Sequence, residues 1–444
     1  MTFVFFSVPI GESELPLIVV WLIAGALYFT IRLRLINIRG FRHAVRIVMG
    51  KEDKGPRAPG EVSHFQALTT AVSGTVGVGN ITHVAVAISI GGPGAAFWLM
   101  VAGFLGMASK FVECTLGVKY RQMNADGTVS GGPMFYLDKG LARNGLPRLG
   151  KALAWYYAIC VILGCFGIGC MLQANQAYVQ FVGISGGESS PFATRGWLFG
   201  GVLAVLVAFV IIGGIKSIAR VTSRLVPFMA LLYVGTALVI IGANYAAIPG
   251  AFAAIVTNAF SPDGVTGGVI AIVILGFRRA AFSNEAGIGS SAIAHSAAKT
   301  EEPLTQGFVA MLEPFIDTVV ICTITALVII LTVYDPAMLN DGAISGVELT
   351  SSAFASVIPW FPYVLAVVVM LFAYSTMISW SYYGLEGFIY IFGPKRWAKI
   401  TFNTIFCLFV IVGCTTQLDA VLDFSDAMVF AMALANVTGL YLLS

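Results

Sequence analysis

Ser73-Gly-Thr-Val-Gly-Val-Gly-Asn80 interrupts an apolar run, from about 65 to 90, that is otherwise long enough to cross a bilayer as one helix. Glycine weakens a helix by about 1 kcal/mol relative to alanine. Hydrocarbon offers the freed N–H and C=O groups no partners, at a cost of several kcal/mol each. At membrane depth such a stretch persists only where it lines a protein cavity. A second interruption of the same kind lies in the other half of the chain, at Gly276-Phe-Arg-Arg279 and Phe282-Ser-Asn-Glu-Ala-Gly-Ile-Gly-Ser-Ser291.

The sequence around these breaks is that of a chain solvated largely by lipid. Hydrophobic residues make up 58% of 444 positions and charged residues 11%. The net charge of +3, scattered between apolar runs, gives no footprint for nucleic acid. A span of roughly 20 apolar residues per crossing predicts eleven helices, at 15–36, 65–90, 94–118, 151–181, 196–213, 224–243, 267–295, 305–333, 360–391, 398–416 and 424–443. The 25 Lys and Arg residues fit that count. With the N-terminus outside and the C-terminus inside, only Arg195 falls in an outer loop, and Arg278 and Arg279 fall inside a span. The remainder sit at the cytoplasmic side, as the positive-inside rule requires. Met1 to Leu15 contains no Lys or Arg, so the basic start of a cleaved signal peptide is missing and the first apolar run is expected to be retained. One membrane domain over 1–444 is expected. The segment from Glu348 to Ile358 is expected to be an outer helix, lying on the membrane or capping a site.

Setting the first span aside, the second opens one group of five helices (65–243) and the seventh opens another (267–443). The breaks therefore occupy equivalent places in two halves. An odd number of helices per half inverts the second relative to the first, which is the pattern of an inverted-repeat, alternating-access carrier with its site at mid-membrane. Close helix packing by small residues is the alternative reading of such glycines. Packing alone does not need the polar groups of Thr75 and Asn80.

Several longer motifs then narrow the class. Gly77-Val-Gly-Asn-Ile81, Gly91-Gly-Pro-Gly-Ala-Ala-Phe-Trp98, Ser130-Gly-Gly-Pro-Met-Phe-Tyr136, Phe282-Ser-Asn-Glu-Ala-Gly-Ile-Gly-Ser290 and Ala294-His-Ser-Ala-Ala-Lys-Thr300 resemble the hallmarks of the alanine or glycine:cation symporter family. The resemblance covers nearly the whole chain. It implies a leucine-transporter-like fold preceded by one extra helix, sodium-coupled uptake of a small amino acid, and residence in the plasma membrane of a prokaryote. Sodium would be co-transported cargo, and no organic cofactor is implied. Proton coupling is the alternative.

An amino-acid zwitterion entering a low-dielectric site needs partners for both charges. Backbone N–H groups of Gly77, Val78 and Gly79 at the start of a half-helix suit its carboxylate, and the Asn80 amide adds a donor. Unwound carbonyls, Gln173 and the Thr376 hydroxyl suit its ammonium group. By the resemblance, Asn80, Gln173, Phe277 and Thr376 contact the substrate, with Phe277 at the second break limiting side-chain size. The pattern from Ser73 to Asn80 also resembles the first core helix of sodium-coupled leucine-type transporters. That likeness implies sodium ligands from the carbonyls of Ser73, Val76 and Phe372 and the hydroxyls of Ser375 and Thr376. Interhelical hydrogen bonding is the other reading of those hydroxyls.

Charges inside spans are costly and usually paired or functional. The i, i+3 spacing of Lys110 and Glu113 predicts a pair on one helix. Glu285 is expected to neutralise Arg278 or Arg279 or to serve an inner gate, and Glu313 and Asp317 are expected either to carry protons or to form gating pairs. His83, one turn past the first break, and His295, at a helix end, are expected to be structural. The seven cysteines lack metal or disulfide spacing and read as small buried hydrophobes. Gly183-Ile-Ser-Gly-Gly187 matches a hydrolase motif only formally, since it has no strand-turn-helix context, so no enzyme is expected. A channel would need a ring of carbonyls or charges about an axis. Two inverted breaks enclose a single site instead.

Overall fold

A computed structural model describes residues 7–10, 13–51, 58–124, 127–260, 268–335 and 346–444. Residue 267, the expected start of the seventh span, and 52–57 of the first inner loop lie outside the described residues. Helix α1 (Leu17–Arg32) leads through two short turns of helix to α2 (His64–Thr75). The start of α2 is fixed by a capping box: Ser63 Oγ accepts from the Gln66 N–H, and Gln66 Oε1 accepts from the Ser63 N–H. Helix α3 (Gly79–Gly91) follows after Val76–Val78 and is turned 42° from α2.

The chain continues through α4 (Gly94–Lys119), α5 (Pro147–Ile184), α6 (Gly196–Ile211), α7 (Gly214–Ala243) and α8 (Ile248–Phe260). Next come α9 (Gly268–Asn284), the short α10 (Ser291–Ser296), α11 (Pro303–Thr332) and α12 (Val347–Ala355). Last are α13 (Phe361–Phe392), α14 (Arg396–Gly413) and α15 (Leu418–Leu443). Among the described residues, α4, α5, α7, α11, α13, α14 and α15 are each long and apolar enough to cross a membrane, and the bent α2–α3 pair counts as one further span. The chain is thus a helical, multi-pass membrane protein. Its outward-facing helices are oily where a water-soluble protein would be polar: Phe209 on α6 is 77% exposed and Leu231 on α7 is 76% exposed.

Helix α5 packs along α13 and α15, α2 along α7 and α13, α3 along α9, and α4 along α9, α10 and α11. Two of these helices loosen into π-helical turns beside the breaks, α5 at Gly167–Met171 and α11 at Phe315–Cys322. Such turns free backbone groups from the helical ladder and often mark functional sites.

The second interruption falls later than the sequence suggested. Helix α9 runs unbroken through Gly276 and Phe277 to Asn284. Gly276 is a close-packing residue instead, because a Cβ there would sit 2.6 Å from the Trp98 Cβ. The true break is Glu285 to Ser290, where Glu285, Gly287 and Gly289 all have positive φ (55°, 89° and 87°). Helix α8, which follows the sixth expected span, was not anticipated. Helix α12 does not lie apart on the membrane. It packs over α3, with the Thr350 hydroxyl donating to the Ile81 carbonyl at 3.3 Å and Phe354 stacked on Phe361 at 4.7 Å. The seven cysteines are unpaired, and all but Cys407 are buried.

Candidate functional site

The first break leaves α2 and α3 joined by three residues, and the backbone groups freed there are met from α3, α5 and α13. Val76 is extended (φ −74°, ψ 90°), which turns the chain out of the α2 ladder. The Gly77 N–H donates to Asn80 Oδ1 at 3.0 Å, and the Val78 N–H donates to Gln173 Oε1 at 3.4 Å. Gln173 is aimed by its own amide, which donates to the Ile168 carbonyl in the π-helical turn of α5 at 3.1 Å. A Cβ at position 77 would lie 2.5 Å from Thr376 Oγ1 and 3.3 Å from Gln173 Oε1, so only glycine lets the three elements meet.

On the α2 side the partners are oxygens. The Thr376 hydroxyl donates to the Ser73 carbonyl at 3.0 Å, the Ser73 hydroxyl donates to the Ser375 carbonyl at 2.7 Å, and the Ser375 hydroxyl donates to the Phe372 carbonyl at 3.0 Å. All of these residues, and Val76, are buried. Ser73, Phe372, Ser375 and Thr376 are therefore brought together across α2 and α13 as a set of uncharged oxygens, the donor type that a hard monovalent cation accepts. Val76 lies close to Ser73 in the chain, but among the described residues nothing donates a hydrogen bond to its carbonyl.

Sequence reasoning missed the other wall. Asn80 Nδ2 donates to Asp317 Oδ1 at 2.5 Å, and the hydroxyls of Ser283 and Thr318 each donate to Asp317 Oδ2 at 2.6 Å. Asp317 is fully buried, and among the described residues no Lys, Arg or His pairs with it. Of its two sequence readings, proton carrier or gating pair, the gating pair has no basic partner among the described residues. Its carboxylate instead shares the Asn80 amide with the first break. Its place on α11 one turn before Ile321 gave no local sign of this, because the contact to Asn80 spans 237 residues.

Phe277 is buried in α9 two turns before the second break, and does not stand at it. His83 is also buried. Among the described residues its ring nitrogens have no hydrogen-bond partner, and it meets Phe282 edge-on at 5.5 Å, consistent with a packing role.

The second break is held by charged groups. Gly287 N–H donates to Glu113 Oε1 at 2.7 Å, and Asn436 Nδ2 donates both to the same carboxylate oxygen and to the Gly287 carbonyl, each at 2.9 Å. Glu285 accepts from the Ser290 hydroxyl and, at 3.1 Å, from Trp380 Nε1, which also reaches the Gly74 carbonyl at 3.2 Å. Trp380 thereby ties the two breaks together. Two sequence expectations fail here. Lys110 does not pair with Glu113 but with Glu313 at 3.0 Å, and also donates to Ser291 at 2.5 Å. Arg278 pairs with Asp426, not with Glu285. Glu313 is the partner of Lys110 and lies 3.8 Å from His295, whose ring is also bound by Gln306. His295 is thus a scaffold residue inside the packed protein.

Helices long and apolar enough to cross a bilayer, interrupted at two places and with converging N–H groups and uncharged oxygens at the first, are those of a secondary transporter and not an enzyme. The fold agrees. The structure matches that of MhsT in complex with L-phenylalanine at a TM-score of 0.61 over 86% of this chain and 88% of that one, with 16% identity, which makes the fold leucine-transporter-like. The chain belongs to the sodium:alanine symporter family, whose model matches residues 9–444. It is 39% identical to the sodium/alanine symporter AgcS of Methanococcus maripaludis, over 97% of this chain and 92% of that protein. It is 36% identical to the amino-acid carrier protein AlsT of Bacillus subtilis, over 95% and 86% of the two chains. The probable sodium/glutamine symporter GlnT of the same organism is 33% identical, over 96% and 85%.

Proposed function

We propose that this chain carries alanine or glycine into the cell together with sodium, by alternating access around the first break. The observation that carries the reading is the convergence of the Gly77 and Val78 N–H groups, Asn80, Gln173 and Thr376 on one buried point next to the Ser73 carbonyl. The N–H groups of Gly77, Val78 and Gly79 receive the substrate carboxylate at the start of α3, where the helix dipole adds to them. To do so, Gly77 and Val78 exchange Asn80 Oδ1 and Gln173 Oε1 for the substrate. Those two acceptors and Thr376 then face the ammonium group. Phe277 closes the side-chain pocket from α9.

Sodium occupies the oxygens of Ser73, Val76, Phe372, Ser375 and Thr376. Because Thr376 serves both ligands, each raises the affinity of the other. An uncharged oxygen set favours a metal cation over a proton, and the relatives AgcS and GlnT are named as sodium symporters. The Asp317 carboxylate, without a basic partner among the described residues, supports a further point: positive charge, from the ammonium group or a cation, comes to rest beside Asn80 during the cycle.

The architecture behind this mechanism is one extra helix, α1, and two inverted halves of five spans, 65–243 and 267–443, in a single domain. That count adds α1, α6 and the α9–α10 pair to the eight spans already described. Packing supports the two-fold relation. The broken pairs contact each other, and so do α4 with α11, α5 with α13, and α6 with α14, each being the equivalent helix of the other half. The distribution of Lys and Arg supports an outer N-terminus and a cytoplasmic C-terminus in a prokaryotic plasma membrane.

The test is uptake of radiolabelled alanine and glycine by reconstituted protein, with unlabelled amino acids of increasing size as competitors. Uptake is expected only with an inward sodium gradient and only small competitors should block it. Uptake that ignores sodium and follows a pH gradient would overturn the cation assignment, and equal competition by large amino acids would overturn the small pocket.

A further inference from the structure

Helix α7 carries a feature that the transport site does not use. Arg220, Arg224 and Phe228 follow one another at four-residue spacing and form one ridge of the helix, and Val221 and Leu225 form the next. Between the ridges lies a groove of about 350 Å³ lined by these five side chains. Arg220 and Arg224 are exposed, and among the described residues neither has an acidic partner, whereas Lys216, one turn earlier, lies 4.0 Å from Glu61. Beyond the groove α7 is bare toward the membrane, with Phe228 57% and Leu231 76% exposed.

We infer that this groove binds one anionic phospholipid, its phosphate held by Arg220 and Arg224 and an acyl chain lying along Val221, Leu225 and Phe228. The groove has a cationic side, Arg220 and Arg224, and an apolar side, Val221 and Leu225, with Phe228 one turn beyond the arginines, and this division selects the ligand. A free phosphate has nothing to place against the three apolar side chains. A zwitterionic lipid brings its own cation to two guanidinium groups that lack a counter-charge. Two arginines one turn apart present forked donors that match phosphate oxygens, and basic side chains at the membrane edge draw anionic headgroups.

The position gives the lipid a role. Between the two arginines, Thr222 is buried on the opposite face of α7, and its hydroxyl lies 3.1 Å from that of Thr70 on α2. Thr70 is one turn before Ser73, whose carbonyl accepts from Thr376. A lipid seated on α7 thus steadies the helix that buttresses the inner half of the first broken helix, and sets how readily that half moves.

The experiment is native mass spectrometry of the full chain after exposure to equal amounts of phosphatidylglycerol and phosphatidylcholine, paired with uptake in vesicles of either composition. One phosphatidylglycerol should be retained preferentially. In R220Q/R224Q its retention should fall at least about tenfold, and uptake should lose its dependence on anionic lipid. Val221→Glu, which keeps both arginines and gives them an internal carboxylate, should do the same, so a folding defect in one variant does not decide the outcome. Equal retention of the two lipids, or retention of phosphatidylglycerol by both variants, would overturn the assignment. Displacement of the lipid by millimolar inorganic phosphate would also overturn it, by showing a site for free anions.

Discussion

At the first interruption the chain around the turn from α2 to α3 is held by uncharged groups: an asparagine, a glutamine, the Thr376 hydroxyl on the Ser73 carbonyl, and the Ser73 hydroxyl on the Ser375 carbonyl. At the second, between α9 and α10, the partners are carboxylates: Glu113 takes the Gly287 N–H, Glu285 takes Ser290 and Trp380, and Glu313 with Lys110 takes Ser291. The difference separates two jobs. A neutral hydrogen bond is worth roughly 1 kcal/mol net and can be exchanged for a substrate carboxylate or a sodium ion at little cost. A buried ion pair that loses one partner costs about 3–5 kcal/mol. The first break is therefore built to trade partners, and the second to keep them.

The comparison breaks if charge at the second break can be removed cheaply. Glu313→Ala leaves Lys110 buried without its partner and should destabilise the protein by about 3–5 kcal/mol, seen as loss of monodisperse protein in detergent and a lowered melting temperature. At the first break the effect should fall on transport. Asn80→Ala removes the acceptor of the Gly77 N–H and the donor to Asp317, and should slow uptake by on the order of 100-fold in protein that melts near the wild-type temperature. Asp317→Asn keeps the shape of its wall, removes its charge, and turns one of its two acceptor oxygens into an amide donor. It should reduce the rate by about tenfold and flatten the sodium dependence, measured as initial uptake against sodium concentration. The smallest change is expected from Phe277→Ala, which enlarges the pocket from α9. It should raise uptake of an amino acid larger than alanine by about fivefold relative to alanine, in a competition assay.

How much of this was legible in the sequence depends on whether a feature is local. The break from Ser73 to Asn80 could be read because Thr75 and Asn80 add polar groups that close packing of glycines does not need, and Asn80, Gln173, Ser73, Ser375 and Thr376 are brought together around it. The second break was misplaced toward Gly276, because a glycine that admits Trp98 and a glycine that unwinds a helix look alike in a single sequence. The positive φ of Glu285, Gly287 and Gly289 shows only in the backbone. Charge pairing was misjudged for a related reason. The Lys110–Glu113 spacing suits a local pair, but α11 places Glu313 nearer, across a separation of 203 residues. Asp317 reads from the sequence only as a proton carrier or a gating residue, because nothing adjacent in the chain hints that Asn80 lies against it.

The central claim is that substrate and sodium meet at the first break through Thr376. It is tested most directly by equilibrium binding of radiolabelled alanine to the purified protein across a range of sodium concentrations, in the wild type and in Thr376→Val. Linkage requires that sodium tighten alanine binding and alanine tighten sodium binding by the same factor. The wild type should show that coupling, and Thr376→Val should need a much higher sodium concentration to show it. Alanine affinity that does not change with sodium in the wild type would contradict the account.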